Sequence, residues 1–310
     1  MNAKDTENEG QGIHVGVLDT LGDPIDSFKQ DYNFESAHDD YLDHAERDPI
    51  GHGRDVLSTI SMLAHEAHFS TFQAINKDED DTRVYGGNRA KTAQAIADAV
   101  EAGVDLINIS AGIPHECGGH CILGREARMA AEIDNLCIVA ATGNQDNETV
   151  EREGVNCPAL VDSVIGVGGY VPFCSADIDR SKQSNQWWLE NGNIIGPLCG
   201  QTGDCCSNED CKTNRREIPW KGNVSFHNTA PDVLAPVIDV NGPSLSEITC
   251  QTGTSFAAPI ISSLLIRMLG GIDRTPSTEE IQNAIRLTGD QIDESDLIKM
   301  NEAAARDYLS

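Results

Sequence analysis

The segment Gly253-Thr254-Ser255-Phe256-Ala257-Ala258-Pro259 sets one hydroxyl at the start of an apolar helical run, Phe256 to Leu269. A helix N-terminus carries unpaired N–H groups and the positive end of the helix dipole, so it stabilises a nearby anion. The preceding glycine permits a tight turn and close approach of a ligand's backbone. Pro259 fits the first turns of a helix and not its interior. Together these describe Ser255 as a nucleophile at the mouth of a helix. The alternative is an ordinary N-cap serine. Two more segments bear on the choice. His14-Val15-Gly16-Val17-Leu18-Asp19-Thr20 is an apolar strand ending in a carboxylate, and Gly51-His52-Gly53 precedes a second helical pattern, Asp55 to Ala67. Acyl transfer by serine needs a base to take the Oγ proton and a carboxylate to orient that base. His52 and Asp19 supply those types. Taken singly, each has a plainer role, His52 as a helix-start surface histidine and Asp19 as a strand-end cap.

The elements that must position these residues alternate between strands and helices. Candidate strands are His14–Leu18, Ser70–Ile75, Leu106–Ser110, Leu136–Ala141, Ser163–Val167 and Val233–Ala235. Several are unbroken apolar runs, as parallel strands covered on both faces are. Candidate helices are Asp55–Ala67, Asn88–Ala102, Gly124–Ile133, Ser255–Leu269 and Thr278–Arg286, with Ser277 and two glutamates opening the last. The segment Leu297 to Leu309 closes the domain. Alternation predicts right-handed crossovers and an α/β domain of three layers, a mainly parallel sheet flanked by helices. Ligands in such sheets bind at the carboxyl ends of the strands. Asp19, Gly112 and Asn144 all fall at such ends, which predicts one shared site.

At these residues the sequence resembles the subtilase family of serine proteases. Gly253 to Pro259 matches the nucleophile motif without a gap, Asp19-Thr20 the aspartate motif and His52-Gly53 the histidine motif. Three further blocks agree: Asn108-Ile109-Ser110-Ala111-Gly112, Val139-Ala140-Ala141-Thr142-Gly143-Asn144 and Pro231-Asp232-Val233-Leu234-Ala235-Pro236. The resemblance runs from about His14 to about Tyr308, and the chain order Asp, His, Ser is that of subtilisin. It implies a subtilisin-like fold and a serine endopeptidase that works through an acyl-enzyme. Ser255 attacks a peptide carbonyl, His52 takes and returns the proton, and Asp19 holds the imidazole. Asn144 donates to the oxyanion beside the Ser255 N–H. Ser110, Ala111 and Gly112 pair with the backbone of an extended polypeptide substrate. Ala140, Ala141, Thr142 and Gly143 line the primary pocket, with Ala159 at its floor; such small uncharged residues predict a preference for apolar or medium side chains. Asn108 is read as structural, an inward asparagine that satisfies backbone groups.

The chain departs from the family pattern in places. Leu21 precedes Gly22 where glycine usually comes first, and Arg54 and Asp55 follow His52-Gly53 where a small hydroxyl residue and often a histidine are usual. These departures keep two other readings open. One is a catalytically silent peptide-binding protein of the same fold. The other is a transpeptidase or macrocyclase using the same acyl-enzyme.

The domain reading is a polar tail at 1–12 and a peptidase domain at 13–310. Within it, a Cys- and Trp-rich insertion spans about 171–227 and serves either as a rim over the groove or as surface decoration. Asp78-Glu79-Asp80-Asp81 is an oxygen-rich run, so structural calcium is possible, although a solvated charge cluster is the plainer reading. His115, Cys117, His120 and Cys121 permit zinc by spacing, but the pattern is no standard finger. A loop disulfide or free thiols is the expectation there. No metal or other cofactor is required for the chemistry.

Acidic residues outnumber basic ones 50 to 22, for a net charge of −28. Nucleic acid and anionic membranes repel such a chain, which excludes both as partners. Salt relieves the self-repulsion, so a salt-loving microbe is the expected source, with an acidic mesophilic protein as the plainer alternative. The sequence has no apolar window of about 18 residues and no signal peptide at its start. A full-length chain is therefore expected in the cytoplasm, while its ten cysteines would suit an extracellular, trimmed one. Too few residues precede Asp19 for a folded pro-domain, so if the chain is not trimmed an inhibitor or activator partner is expected to hold it in check.

Overall fold

The computed structural model describes residues 8–24, 26–38, 51–77, 85–87, 89–112, 117–133, 136–144, 155–174, 215–219, 231–237, 240–243, 248–251, 253–292 and 295–310. The first half of the chain holds β1 (His14–Asp19), α1 (Asp26–Asp31), β2 (Asn33–His38), α2 (His52–Leu63), β3 (His68–Gln73), β4 (Ile75–Lys77), β5 (Tyr85–Gly87), α3 (Arg89–Glu101), β6 (Leu106–Ile109), α4 (Ile122–Ile133) and β7 (Cys137–Ala141). Then come β8 (Ile165–Cys174), β9 (Arg215–Pro219), β10 (Val233–Pro236), β11 (Val240–Pro243), β12 (Ile248–Gln251), α5 (Thr254–Leu269), α6 (Thr278–Thr288), β13 (Asp290–Gln291), β14 (Ile298–Lys299) and α7 (Glu302–Leu309).

One large sheet runs in the order β13-β14-β10-β8-β7-β6-β1-β3-β2. Every pairing from β2 across to β14 is parallel, and only the short β13–β14 pair at the edge and β9 on β8 are antiparallel. The central strands alternate side chains between two cores. Val15 and Val17 of β1, Leu106 of β6 and Val139 of β7 face α2 and α5. Leu18, Ile107, Ile109, Ile138 and Ala140 face α3 and α4. This is the three-layer subtilisin-like α/β architecture, with both sheet faces covered as the apolar strand sequences require. The chain passes from β1 to β2 and β3 on one side, then crosses to β6 on the other. The carboxyl end of β1 is therefore a switch point, where a crevice opens in such sheets.

Boundaries shift where backbone geometry overrides composition. α2 begins at His52, three residues before the apolar pattern, because Gly51 caps it in the left-handed region (φ 73°). The strand expected at Ser70–Ile75 is β3, which starts earlier at His68 and is followed by the separate β4. β8 runs on to Cys174, seven residues past the expected Val167, and pairs antiparallel with β9. That pairing falls within the stretch read as an insertion at about 171–227, of which residues 175–214 and 220–227 lie outside the described residues. The terminal segment is not one continuous unit: Ile298–Lys299 adds a strand to the sheet edge before α7 begins. β2 carries no apolar run, being a half-exposed strand at the sheet edge, and composition alone missed it.

The end of the polar N-terminal tail is packed. Gly10 is buried, and a side chain there would meet Ile266 of α5 at 2.7 Å. The Glu9 carbonyl accepts from the Glu66 N–H at 3.0 Å. Among the described residues no helix is long and apolar enough to cross a membrane.

Candidate active site

Asp19 ends β1 fully buried. Its Oδ1 accepts from the Thr20 N–H at 2.7 Å and lies 2.7 Å from His52 Nδ1. A carboxylate can only accept, so Nδ1 carries the hydrogen and Nε2 is the ring's lone-pair nitrogen. Thr20 locks the same corner. Its hydroxyl accepts from the Gly53 N–H at 2.9 Å, and its carbonyl accepts from Gln73 Nε2 at 2.8 Å. The motif Asp19-Thr20 thus holds the side chain of His52 and the backbone of the next residue together. Gly53 is needed because the chain leaving β1 passes against it: a Cβ there would sit 2.5 Å from the Leu21 nitrogen.

The imidazole of His52 packs at 5.3 Å, centroid to centroid, against the Phe256 ring. Phe256 directly follows Ser255. Ser255 is the second residue of α5 and half-buried. The cap position belongs to Gly253, with φ 144° and no side-chain cap bond. Ser255 is therefore not a capping serine. The Gly253 N–H donates to the Val237 carbonyl at 2.9 Å, fixing the helix start to the chain leaving β10. Pro259 lies in the second turn of α5, so it withholds the N–H that a regular helix would direct at the Ser255 carbonyl.

Asn144, exposed after β7, reaches the same turn. Its Oδ1 accepts from the Thr254 N–H at 2.8 Å and lies 3.1 Å from the Thr254 hydroxyl. An N–H cannot accept, so the oxygen must face Thr254, which leaves Nδ2 as a donor. A Cβ at Gly253 would come within 2.9 Å of that Nδ2. The Thr254 hydroxyl also sits 2.8 Å from the Gly143 carbonyl and 3.0 Å from the Gly143 nitrogen.

The structure brings Asp19, His52, Asn144 and the first turn of α5 together, through the Asp19–His52 and His52–Phe256 contacts and the Asn144–Thr254 bonds. Ser110 follows β6 and is buried, with Ala111 and Gly112 half-buried beyond it. Ala140 and Ala141 belong to β7 and pack into opposite cores, while Thr142 donates its hydroxyl to the Val167 carbonyl at 3.2 Å. Ala159 is buried in the same core as Ala140. Asn108 differs from expectation in its partners. Its amide bonds two hydroxyls rather than backbone, donating to Ser110 Oγ at 2.8 Å and accepting from Ser262 Oγ at 2.9 Å. It ties β6 to α5 just below the site.

Arg54 and Asp55 face each other, Arg54 Nε lying 3.5 Å from Asp55 Oδ1, so their charges offset locally. Sequence reading missed Asn156. It is buried and packs on Gly112, where a Cβ would meet its own Cβ at 2.4 Å. Among the described residues its Oδ1 has no hydrogen-bond partner. Its position directly before Cys157-Pro158-Ala159 was the available signal. The acidic run at 78–81 and His115 lie outside the described residues.

The chain belongs to the subtilase family, whose model matches residues 10–298. No curated protein matches it in sequence. Among solved structures, the prenylagaramide maturation protease PagA is 20% identical with a TM-score of 0.64, covering 97% of this chain and 96% of that one. The PatG macrocyclase domain is 19% identical with a TM-score of 0.63, covering 97% and 93%. A lanthipeptide protease is 17% identical with a TM-score of 0.61, covering 98% and 90%. At these identities the likeness is one of fold.

Proposed function

We propose that this chain is a serine endopeptidase that cleaves extended polypeptide through an acyl-enzyme. The observation that carries the reading is the 2.7 Å contact between buried Asp19 and His52, with the ring set against the residue after Ser255. Ser255 Oγ attacks the scissile carbonyl carbon as His52 Nε2 takes its proton. The C–N bond then breaks, and the imidazolium returns that proton to the leaving amine. Water, deprotonated by the same nitrogen, attacks the acyl carbon and frees Ser255. Asp19 keeps the hydrogen on Nδ1 throughout. Asn144 Nδ2 and the Ser255 N–H face the developing oxyanion. Ser110 to Gly112 pair with the substrate backbone. The primary pocket includes Gly143. The chemistry requires no cofactor.

Transpeptidation or macrocyclisation is the second reading. The PatG macrocyclase domain and the PagA protease fit this fold about equally well, with TM-scores of 0.63 and 0.64. In that case a substrate amine replaces water in the second step. The chain, its Ser255→Ala variant and a serine-directed phosphonate decide between the readings on an unfolded protein and a linear peptide. Labelling and cleavage that vanish in the variant support the peptidase. Products lighter than hydrolysis gives, by one water, indicate an amine acceptor. A folded chain that binds peptide but shows neither labelling nor turnover is a silent binder. Running the assay across salt concentrations tests whether the acidic excess is an adaptation to high ionic strength.

A further inference from the structure

Two cysteines four residues apart and a third 36 residues further on meet beside the proposed groove. Cys117 and Cys121 lie on the stretch that leads into α4, and Cys157 lies on the segment that joins Asn156 to Ala159. Their sulfurs are all within 4.8 Å of one another, and Cys121 Sγ is 3.5 Å from Cys157 Sγ. None of the three is in a disulfide.

We propose that Cys117, Cys121 and Cys157 form a binding site for a thiophilic divalent cation of the zinc class, with a fourth position open to solvent.

Tetrahedral coordination at about 2.3 Å per sulfur places ligating sulfurs about 3.8 Å apart. The trio already stands near that spacing. A disulfide closes to about 2.05 Å and uses only two sulfurs, so it would strand the third. Cys137, the remaining cysteine whose thiol is described, is buried within β7 and is not in the group. Simple hydrophobic packing explains a buried cysteine such as Cys157. Cys117 and Cys121 also pack against the core that holds Cys157, but packing alone does not require all three sulfurs to converge on one point.

The turn that aims them is specifically built. Gly118 and Gly119 both take positive φ, 51° and 77°, and the His120 N–H donates to the Cys117 carbonyl at 2.8 Å. This brings two cysteines four residues apart to one side. A Cβ on Gly119 would meet Leu160 at 3.2 Å, and one on Gly124 would meet the Gly119 carbonyl at 2.4 Å. The turn therefore has little freedom to open. Cys157 is buried, while Cys117 and Cys121 are half-buried, which gives the cation an entry side.

The ion takes no part in acyl transfer. It joins the stretch after Gly112 to the stretch after Asn156, two segments that already touch at Gly112. Its bearing on the groove rests on the peptidase reading; its existence does not.

The test uses the full chain, purified under reductant, stripped with chelator, reloaded with zinc(II) or cobalt(II) and desalted. Metal content per chain and the cobalt–thiolate charge-transfer band are measured. Wild type should retain one equivalent more than Cys117→Ser and Cys121→Ser, and Cys121→His, which keeps a ligand, should recover it. Ser255→Ala should retain the metal, so failure of the peptidase reading is separable from failure of the site. Circular dichroism confirms that each variant is folded, and Cys117→Ser stands in if Cys121→Ser is not. Equal metal in wild type and both serine variants overturns the proposal. So does a Cys121–Cys157 disulfide mapped in the purified chain.

Discussion

Helices α2 and α5, which carry His52 and Ser255, start differently from α6 and α7, which carry neither. Both site helices are capped by glycine with positive φ, Gly51 and Gly253, and neither has a side-chain cap bond. α6 opens with a full capping box, in which Ser277 accepts from the Glu280 N–H and Glu280 accepts from the Ser277 N–H. Asn301 caps α7 by accepting from the Ala304 N–H at 3.2 Å. Glycine at an N-cap costs only a few tenths of a kcal/mol relative to serine. For that small cost the first turns of the site helices bond across to residues at the strand ends, the Gly53 N–H to the Thr20 hydroxyl and the Thr254 N–H to Asn144 Oδ1, rather than to a cap side chain. The helices at the far end satisfy theirs and gain stability. Local helix chemistry thus separates a working end from a holding end.

Four substitutions would break or sharpen that contrast. Asp19→Asn should lower kcat by about 10⁴-fold, because the imidazole loses its preferred tautomer. Its midpoint of thermal unfolding should move little by comparison, and a fall in activity of under tenfold would remove Asp19 from the proposed machinery. Asn144→Ala should lower kcat by about 10²–10³-fold with KM nearly unchanged, the signature of a donor used in the transition state.

The next largest effect belongs to the holding end and appears in stability. Asp232 accepts from the Gly166 N–H at 2.9 Å and lies 3.8 Å from Arg286 of α6. Burial pushes its carboxyl up to about 6, against the Gly166 hydrogen bond and Arg286, which pull it down. The folded chain then holds a proton that the unfolded chain has already released. Stability contributed by this group is present below the ordinary carboxylate range and is lost as pH rises to about 6. Asp232→Asn keeps an acceptor for Gly166 and removes the titration. Denaturant unfolding between pH 4 and 7 should show a flatter profile in the variant, with a gain of up to about 2 kcal/mol at the upper end. An unchanged slope would mean that Asp232 ionises normally. The smallest effect is that of Ser277→Ala, about 1 kcal/mol of stability with turnover unaltered. Loss of activity there would contradict the division between the two ends.

Much of this was legible in the sequence for definite reasons. Apolar runs such as Val15 to Leu18 and Cys137 to Ala141 announce strands covered on both faces, and those strands form the centre of the sheet. His52 stood out by the glycines on either side and Ser255 by Gly253 just ahead of it, because close approach leaves a trace in composition, while Asp19 stood out as the carboxylate ending an apolar strand. What stayed hidden depends on contacts between distant segments. The block Cys157-Pro158-Ala159 marks the neighbourhood of Asn156 but not its contact with Gly112, and nothing near Cys117 says that Cys157 will meet it. Asn108 was recognised as inward, but its bond to Ser262 spans the sheet and α5, so its partners could not be read locally. The edge strand β2 stayed hidden because half-exposed polar residues carry no apolar signal.

Thr254 has a consequence for motion. Through one hydroxyl and one N–H it fastens Gly143 and Asn144 to the residue that precedes Ser255. If the helix mouth shifts as a peptide enters, the asparagine travels with it. The proposed nucleophile and the proposed oxyanion donor are thus registered to each other directly, so their alignment tolerates flexing of the walls around them.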